Sequence, residues 1–108
     1  GMLGGRLDHT LANLQALGFL AQAGATGYLY GKSYLFTALR NGSLTLPARK
    51  EGIFSLFCLG QEAQGVSIHG ANVPVSPFFP IGVSNHFQGN PVTIQVETGC
   101  LLIGWEIP

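Results

Sequence analysis

The sequence predicts a mainly β domain, a β-sandwich or jelly roll of seven or eight short strands preceded by one N-terminal α-helix. Three observations carry this. Short runs of apolar and aromatic residues recur down the chain from Tyr28, separated by Gly- and Asn-containing turn signals. Only one stretch, before Gly24, has helical spacing. One segment, residues 70–82, carries Pro74, Pro77 and Pro80 and cannot sit inside a ladder.

The helix is expected from His9 to Ala23, a stretch of Leu, Ala, Gln and Asn without proline, valine or isoleucine. Leu11, Leu14, Leu17 or Gly18, and Ala21 recur at three-to-four spacing and form one apolar stripe. Asp8 is placed to cap its start and Gly24 to stop it. Tyr28-Leu29-Tyr30 and Ser33 to Leu39 then read as strands joined by Gly31-Lys32, a pair that suits a type II′ turn. Asn41-Gly42 predicts a second turn into Ser43 to Leu46. Ile53 to Leu59 is nearly all apolar, the pattern of a strand buried on both faces. Val66 to His69 and Val92 to Glu97 alternate, as half-buried strands do. Thr98-Gly99 predicts a turn into the last strand, Cys100 to Ile107.

A chain of 108 residues makes one folding unit and buries roughly two-thirds of its unfolded surface without a staple. Residues 1–24 read as a strand end and helix at a junction, and 25–108 as the sandwich. A helix that runs straight into a sandwich suggests that another segment precedes it. Gly1 to Gly5 fits the end of a buried strand; equally, Met2 can be a start with Gly1 in front of it. Only 9% of residues are charged, against about 25% in an average soluble protein, so part of the surface is expected to be covered by a partner. Five basic residues spread along a neutral chain exclude a nucleic-acid footprint. No apolar run approaches the roughly 20 residues that cross a bilayer. Cys58 and Cys100 lie in apolar runs with no signal peptide before them, so free buried thiols and a cytoplasmic setting are expected over a disulfide.

The candidate chemistry lies in Gly4-Gly5-Arg6-Leu7-Asp8-His9. Two glycines let the backbone come close to a ligand, and a helix start offers free N–H groups to an anion. Arg6 can fork onto a phosphate, and Asp8 can hold a metal or accept a hydrogen bond. The plain alternative is a glycine turn, a capped helix and a surface arginine. Asp8 is the only aspartate, and Glu51, Glu62, Glu97 and Glu106 are far apart in sequence, a poor supply for a Mg-nucleotide site. His9, His69 and His86 lack metal-ligand spacing, so no metal site is assigned. Ser84-Asn85-His86 lacks the glycines of a nucleophile elbow. Trp105 reads as packing or interface, and Arg49-Lys50-Glu51 as a solvated turn.

The run Gly4 to His9 continued by Thr10-Leu11-Ala12-Asn13 resembles the segment with which thiamine pyrophosphokinases enter their C-terminal half. Phe79-Pro80-Ile81-Gly82-Val83-Ser84-Asn85 is similar to a second segment of that family, and Val92 to Gly99 to its closing strand and turn. Phe54-Ser55-Leu56-Phe57 resembles its sandwich core. The resemblance covers nearly the whole chain in the right order.

It implies the thiamine-binding and dimerising part of an enzyme that transfers pyrophosphate from ATP to thiamine, giving thiamine diphosphate and AMP. Arg6 and Asp8 would be catalytic, Arg6 against the phosphates and Asp8 toward the metal, the phosphates or the substrate hydroxyl. Ser84 and Asn85 would hydrogen-bond thiamine, with Gly4, Gly5 and His9 beside the substrates. The cleft would be shared with the nucleotide domain of a second subunit. The family's Gly-Asp-x-Asp-Ser and Lys-Asp-x-Thr-Asp segments are absent, so ATP and Mg²⁺ would be held by a preceding N-terminal domain, and the chain alone would be inactive. Members place an aromatic residue before the Ser-Asn segment; here Asn72-Val73-Pro74 stands there. Phe78 or Phe79 would stack on the ring instead, or binding is weaker, or both pack in the core. The alternative reading is a stand-alone, non-catalytic ligand-binding or interaction sandwich derived from the family.

Overall fold

A computed structural model describes residues 7–71 and 82–107. It contains one helix, α1 (Leu7–Gln22), and six strands: β1 (Tyr28–Tyr30), β2 (Tyr34–Leu46), β3 (Ile53–Gln64), β4 (Ser67–His69), β5 (Gly82–His86) and β6 (Val92–Glu106). All pairing among them is antiparallel, in the order β1-β2-β6-β3-β5, with β4 on the far part of β6. The mainly β class with one leading helix therefore stands.

Two of the strands are longer than the turn signals suggest, because two of those signals lie inside strands. Arg40 pairs with Cys100 and Gly42 with Val96, so one residue of β2 opposes three of β6. Asn41 takes φ 47° and Gly99 φ 112°, and the Asn41 side-chain oxygen accepts the Gly99 N–H at 2.8 Å. What looks like two turns is one irregular bulge shared by two strands. Bulges bend the strands that carry them. Beyond this one, Leu46, Val92, Ile94 and Val96 join the same buried core as Phe54, Leu56, Leu101 and Ile103. The sheet thus folds over, and its two parts face each other across that core.

The other face of the first part is covered by α1. Leu17 and Ala21 pack on Ala38, Cys100 and Leu102, with Leu14, Leu29, Phe36 and Phe57 around them. The buried stripe is Thr10, Leu14, Leu17-Gly18 and Ala21; Leu11 lies off it and is exposed. A Cβ at Gly104 would overlap the ring of Phe36, its partner on β2, so the missing side chain is what lets that ring lie across β6. Gly24 stops the helix as predicted, at φ 82°. Its N–H reaches the Ala21 carbonyl, and Ala25 reaches Leu20 at 2.9 Å, a Schellman ending. Asp8 is not the cap. The helix is already formed at Leu7, which puts Asp8 in its first turn.

The first hairpin is shifted by one residue from the prediction. Gly31 donates to the Tyr34 carbonyl at 2.7 Å and closes a loop of Lys32 and Ser33. Neither has positive φ, so the turn is not type II′.

Candidate functional site

Gly4, Gly5 and Arg6 lie outside the described residues, as do Phe78, Phe79 and the side chain of Ser84. Asp8 and His9 stand exposed in the first turn of α1. A carboxylate there sits in the favourable field of the helix start. Beside them, Thr10, Asn13, Leu14, Tyr30, Tyr34 and Phe36 line a mostly apolar cavity of about 200 Å³. The first turns of α1 therefore lie against the β1–β2 hairpin. Burial, and then the Glu106 carboxylate, push the Tyr34 hydroxyl up from its ordinary pKa, so it stays protonated and able to donate.

Asn85 lies on the opposite edge of the sheet, in β5, which among the described residues pairs with β3 alone. It is half-buried, and its amide Nδ2 donates to the carbonyl of its partner Phe54 at 3.3 Å. That bond holds the side chain and leaves its carbonyl oxygen as an acceptor for something else. The strand is irregular here: Asn85 pairs with Phe54 and Gly82 with Leu56, three steps on β5 against two on β3. Val83 and Ser84 lie within this bulge, a device that re-aims side chains next to sites.

Among the described residues, Asp8 and His9 do not meet Asn85. From β2 to β5 there are three strand spacings, about 15 Å. Asn85 also shares the face of Phe54, toward the main core, whereas α1 lies on the other face. The sheet itself stands between Asp8 and Asn85.

Cys58 and Cys100 are both thiols, not joined in a disulfide. Cys58 pairs with Leu101 and faces the main core, while Cys100 pairs with Leu59 and faces the helix. Residues on opposite faces cannot be bridged without moving backbone. Burial pushes the Cys100 thiol up, with Arg40 pulling the other way, so it remains a packed thiol and not a nucleophile. Trp105 packs against the main core, as expected. Among the described residues, His, Cys, Asp and Glu form no group of three that could hold a metal ion, and no helix is long and apolar enough to cross a membrane.

Arg49 departs from the sequence reading. It is half-buried rather than solvated. Its Nη1 donates to the backbone carbonyl of Glu106, and its guanidinium lies over the ring of Phe87, 5.2 Å from the centroid. The Glu106 carboxylate in turn accepts the N–H of Ile53 at 2.8 Å. Local sequence carried no signal for this group. Arg49, Phe87 and Glu106 meet only once β2, β3, β5 and β6 are assembled.

No family model and no curated protein matches the sequence. Solved structures do. The thiamine pyrophosphokinase of Bacillus subtilis superposes with a TM-score of 0.79 at 16% identity, over 97% of this chain and 52% of that one. A thiamin pyrophosphokinase family protein of Enterococcus faecalis gives 0.74 at 18% identity, over 100% and 54%. The thiamin pyrophosphokinase of Candida albicans gives 0.75 at 15%, over 98% and 42%. The chain thus has the fold of about half of each of these proteins, and it spans about half their length.

Proposed function

We propose that this chain is the thiamine-binding half of a thiamine pyrophosphokinase, a homodimeric cytoplasmic enzyme that moves pyrophosphate from ATP to thiamine. The observation that carries the reading is the agreement of two independent things. The sequence resembles that family in segments spread from Gly4 to Gly99, and the fold matches about half of three such enzymes over nearly all of this chain.

In this reading the thiamine hydroxyl attacks the β-phosphorus of ATP, a displacement that rests on positioning and on neutralising charge. Mg²⁺, when bound, would supply most of that neutralisation between the phosphates. Among the described carboxylates Asp8 alone stands at the proposed site, and the metal's other ligands would belong to a nucleotide-binding domain. Arg6 would face the phosphates, with Gly4, Gly5 and His9 around them. The amide oxygen of Asn85, left over after its bond to Phe54, suits the amino group on the thiamine pyrimidine, and Ser84 would stand beside it. The separation of Asp8 from Asn85 by the sheet favours a cleft completed by a second subunit. One copy would bring the helix end and its partner copy the β5 edge.

The test is a calorimetric titration of this 108-residue chain with thiamine. Saturable binding is expected, weakened at least tenfold by Asn85→Ala, the loss of one buried hydrogen-bonding group. No saturable binding by the unaltered chain would sink the thiamine assignment. AMP formation from thiamine and ATP by this chain alone would sink the division of labour between the two halves.

A further inference from the structure

We propose that Arg49 is a positioning residue for Asn85, holding the β5 edge in register; this rests on the thiamine-site reading given above. β5 is lightly held. It is five residues long, pairs among the described residues on one side only, and carries a bulge that leaves three paired positions: Ile53 with His86, Phe54 with Asn85, and Leu56 with Gly82. Such an edge slips easily unless its end is fixed.

The fixing comes from the loop between β2 and β3. The Gly52 carbonyl accepts the Phe87 N–H at 3.0 Å, and the Arg49 carbonyl accepts the Gly89 N–H at 2.7 Å. Above these, the Arg49 guanidinium lies on the Phe87 ring while it bonds the Glu106 carbonyl at the end of β6. Phe87 is 4% exposed, and its other contact is Phe54, with ring centroids 5.1 Å apart. Phe54 is the residue whose carbonyl holds the Asn85 amide. One cation thus ties the central strand to the segment two residues beyond Asn85. Gly52 belongs to the same device: φ 116° favours glycine, and a Cβ there would stand 3.0 Å from the Arg49 guanidinium carbon and press that group out of place by a few tenths of an ångström.

The experiment compares this chain with Arg49→Met and Arg49→Lys, by amide hydrogen exchange and by thiamine titration, at a temperature where all three are folded. Arg49→Met keeps the length of the stem and removes the cation. It is expected to speed exchange at Phe87 and Gly89 at least tenfold, with Leu101 and Ile103 changed by less than about twofold. The thiamine dissociation constant should rise about tenfold. Arg49→Lys should recover part of both effects, since an ammonium still sits over the ring and donates once. Equal acceleration at all four amides would make Arg49 a general stabiliser and overturn the proposal, as would unchanged exchange at Phe87. If the unaltered chain binds no thiamine, the functional reading fails, while the exchange data still score the pinning of β5. If thiamine binds the unaltered chain and Arg49→Met equally well, the positioning role fails and the functional reading survives.

Discussion

The two parts of β6 live in different surroundings although they belong to one continuous strand. From Cys100 to Ile103 every side chain is buried, since α1 covers one face and the folded-over sheet the other. From Val92 to Val96 only Val92, Ile94 and Val96 are buried, and Gln95 faces solvent. In that outer part the exposed face carries hydroxyl and amide pairs: Thr45 with Thr93 at 3.1 Å, and Ser67 with Gln95 at 3.2 Å. The difference shows that a strand's composition reports how many layers cover it, not merely that it is a strand. Cys-Leu-Leu-Ile is the mark of two covers and Val-Thr-Ile-Gln-Val that of one.

Substitutions at the outer and inner parts can break this comparison. Leu102→Ser, under α1, is expected to cost about 3 kcal/mol by urea denaturation, from lost burial and an unmatched hydroxyl. Gln95→Ser, at a solvent-facing position of the same strand, should stay within about 0.5 kcal/mol. Similar costs for the two would mean that α1 does not seal its face. Gly104→Ala comes next, at about 1–3 kcal/mol, because the added methyl displaces the Phe36 ring from its seat on β6. A neutral result would show that the ring can move aside freely. A smaller loss than at Gly104 is expected where the two parts join. Asn41→Ala should cost about 1 kcal/mol through the lost bond to Gly99, and Asn41→Gly, which tolerates the positive φ, should cost less than alanine. Equal losses would assign the whole effect to the hydrogen bond.

The same contrast separates the two candidate half-sites. Asp8 and His9 sit on an exposed helix turn that the sequence marks locally, with glycines before and an Ala-Leu-rich run after. Asn85 also stood out in the sequence, as part of a Ser-Asn pair, but what holds it did not. The carbonyl of Phe54, thirty-one residues earlier, and the cation of Arg49 reach it only through cross-strand pairing. Arg49-Lys50-Glu51 reads as a solvated turn because three charged residues stand in a row between Pro47-Ala48 and Gly52. Likewise Asn41-Gly42 and Thr98-Gly99 each look like a turn when read alone. Together, across 58 residues, they close on one another as a single bulge.

The sequence by itself determined the mainly β class, the leading helix with its glycine stop, the alternation that sets the buried face of Val92 to Val96, and the resemblance to a family. These depend on period, on local backbone preference and on runs of a few residues, all of which can be read along the chain. Only the tertiary structure decided that turn signals became a bulge, that the sheet folds over on itself, that Asp8 and Asn85 stand on opposite faces, and that Arg49 is drawn in beside Phe87. Each of those is a contact between residues distant in sequence, fixed by register and layer packing, which no local pattern encodes.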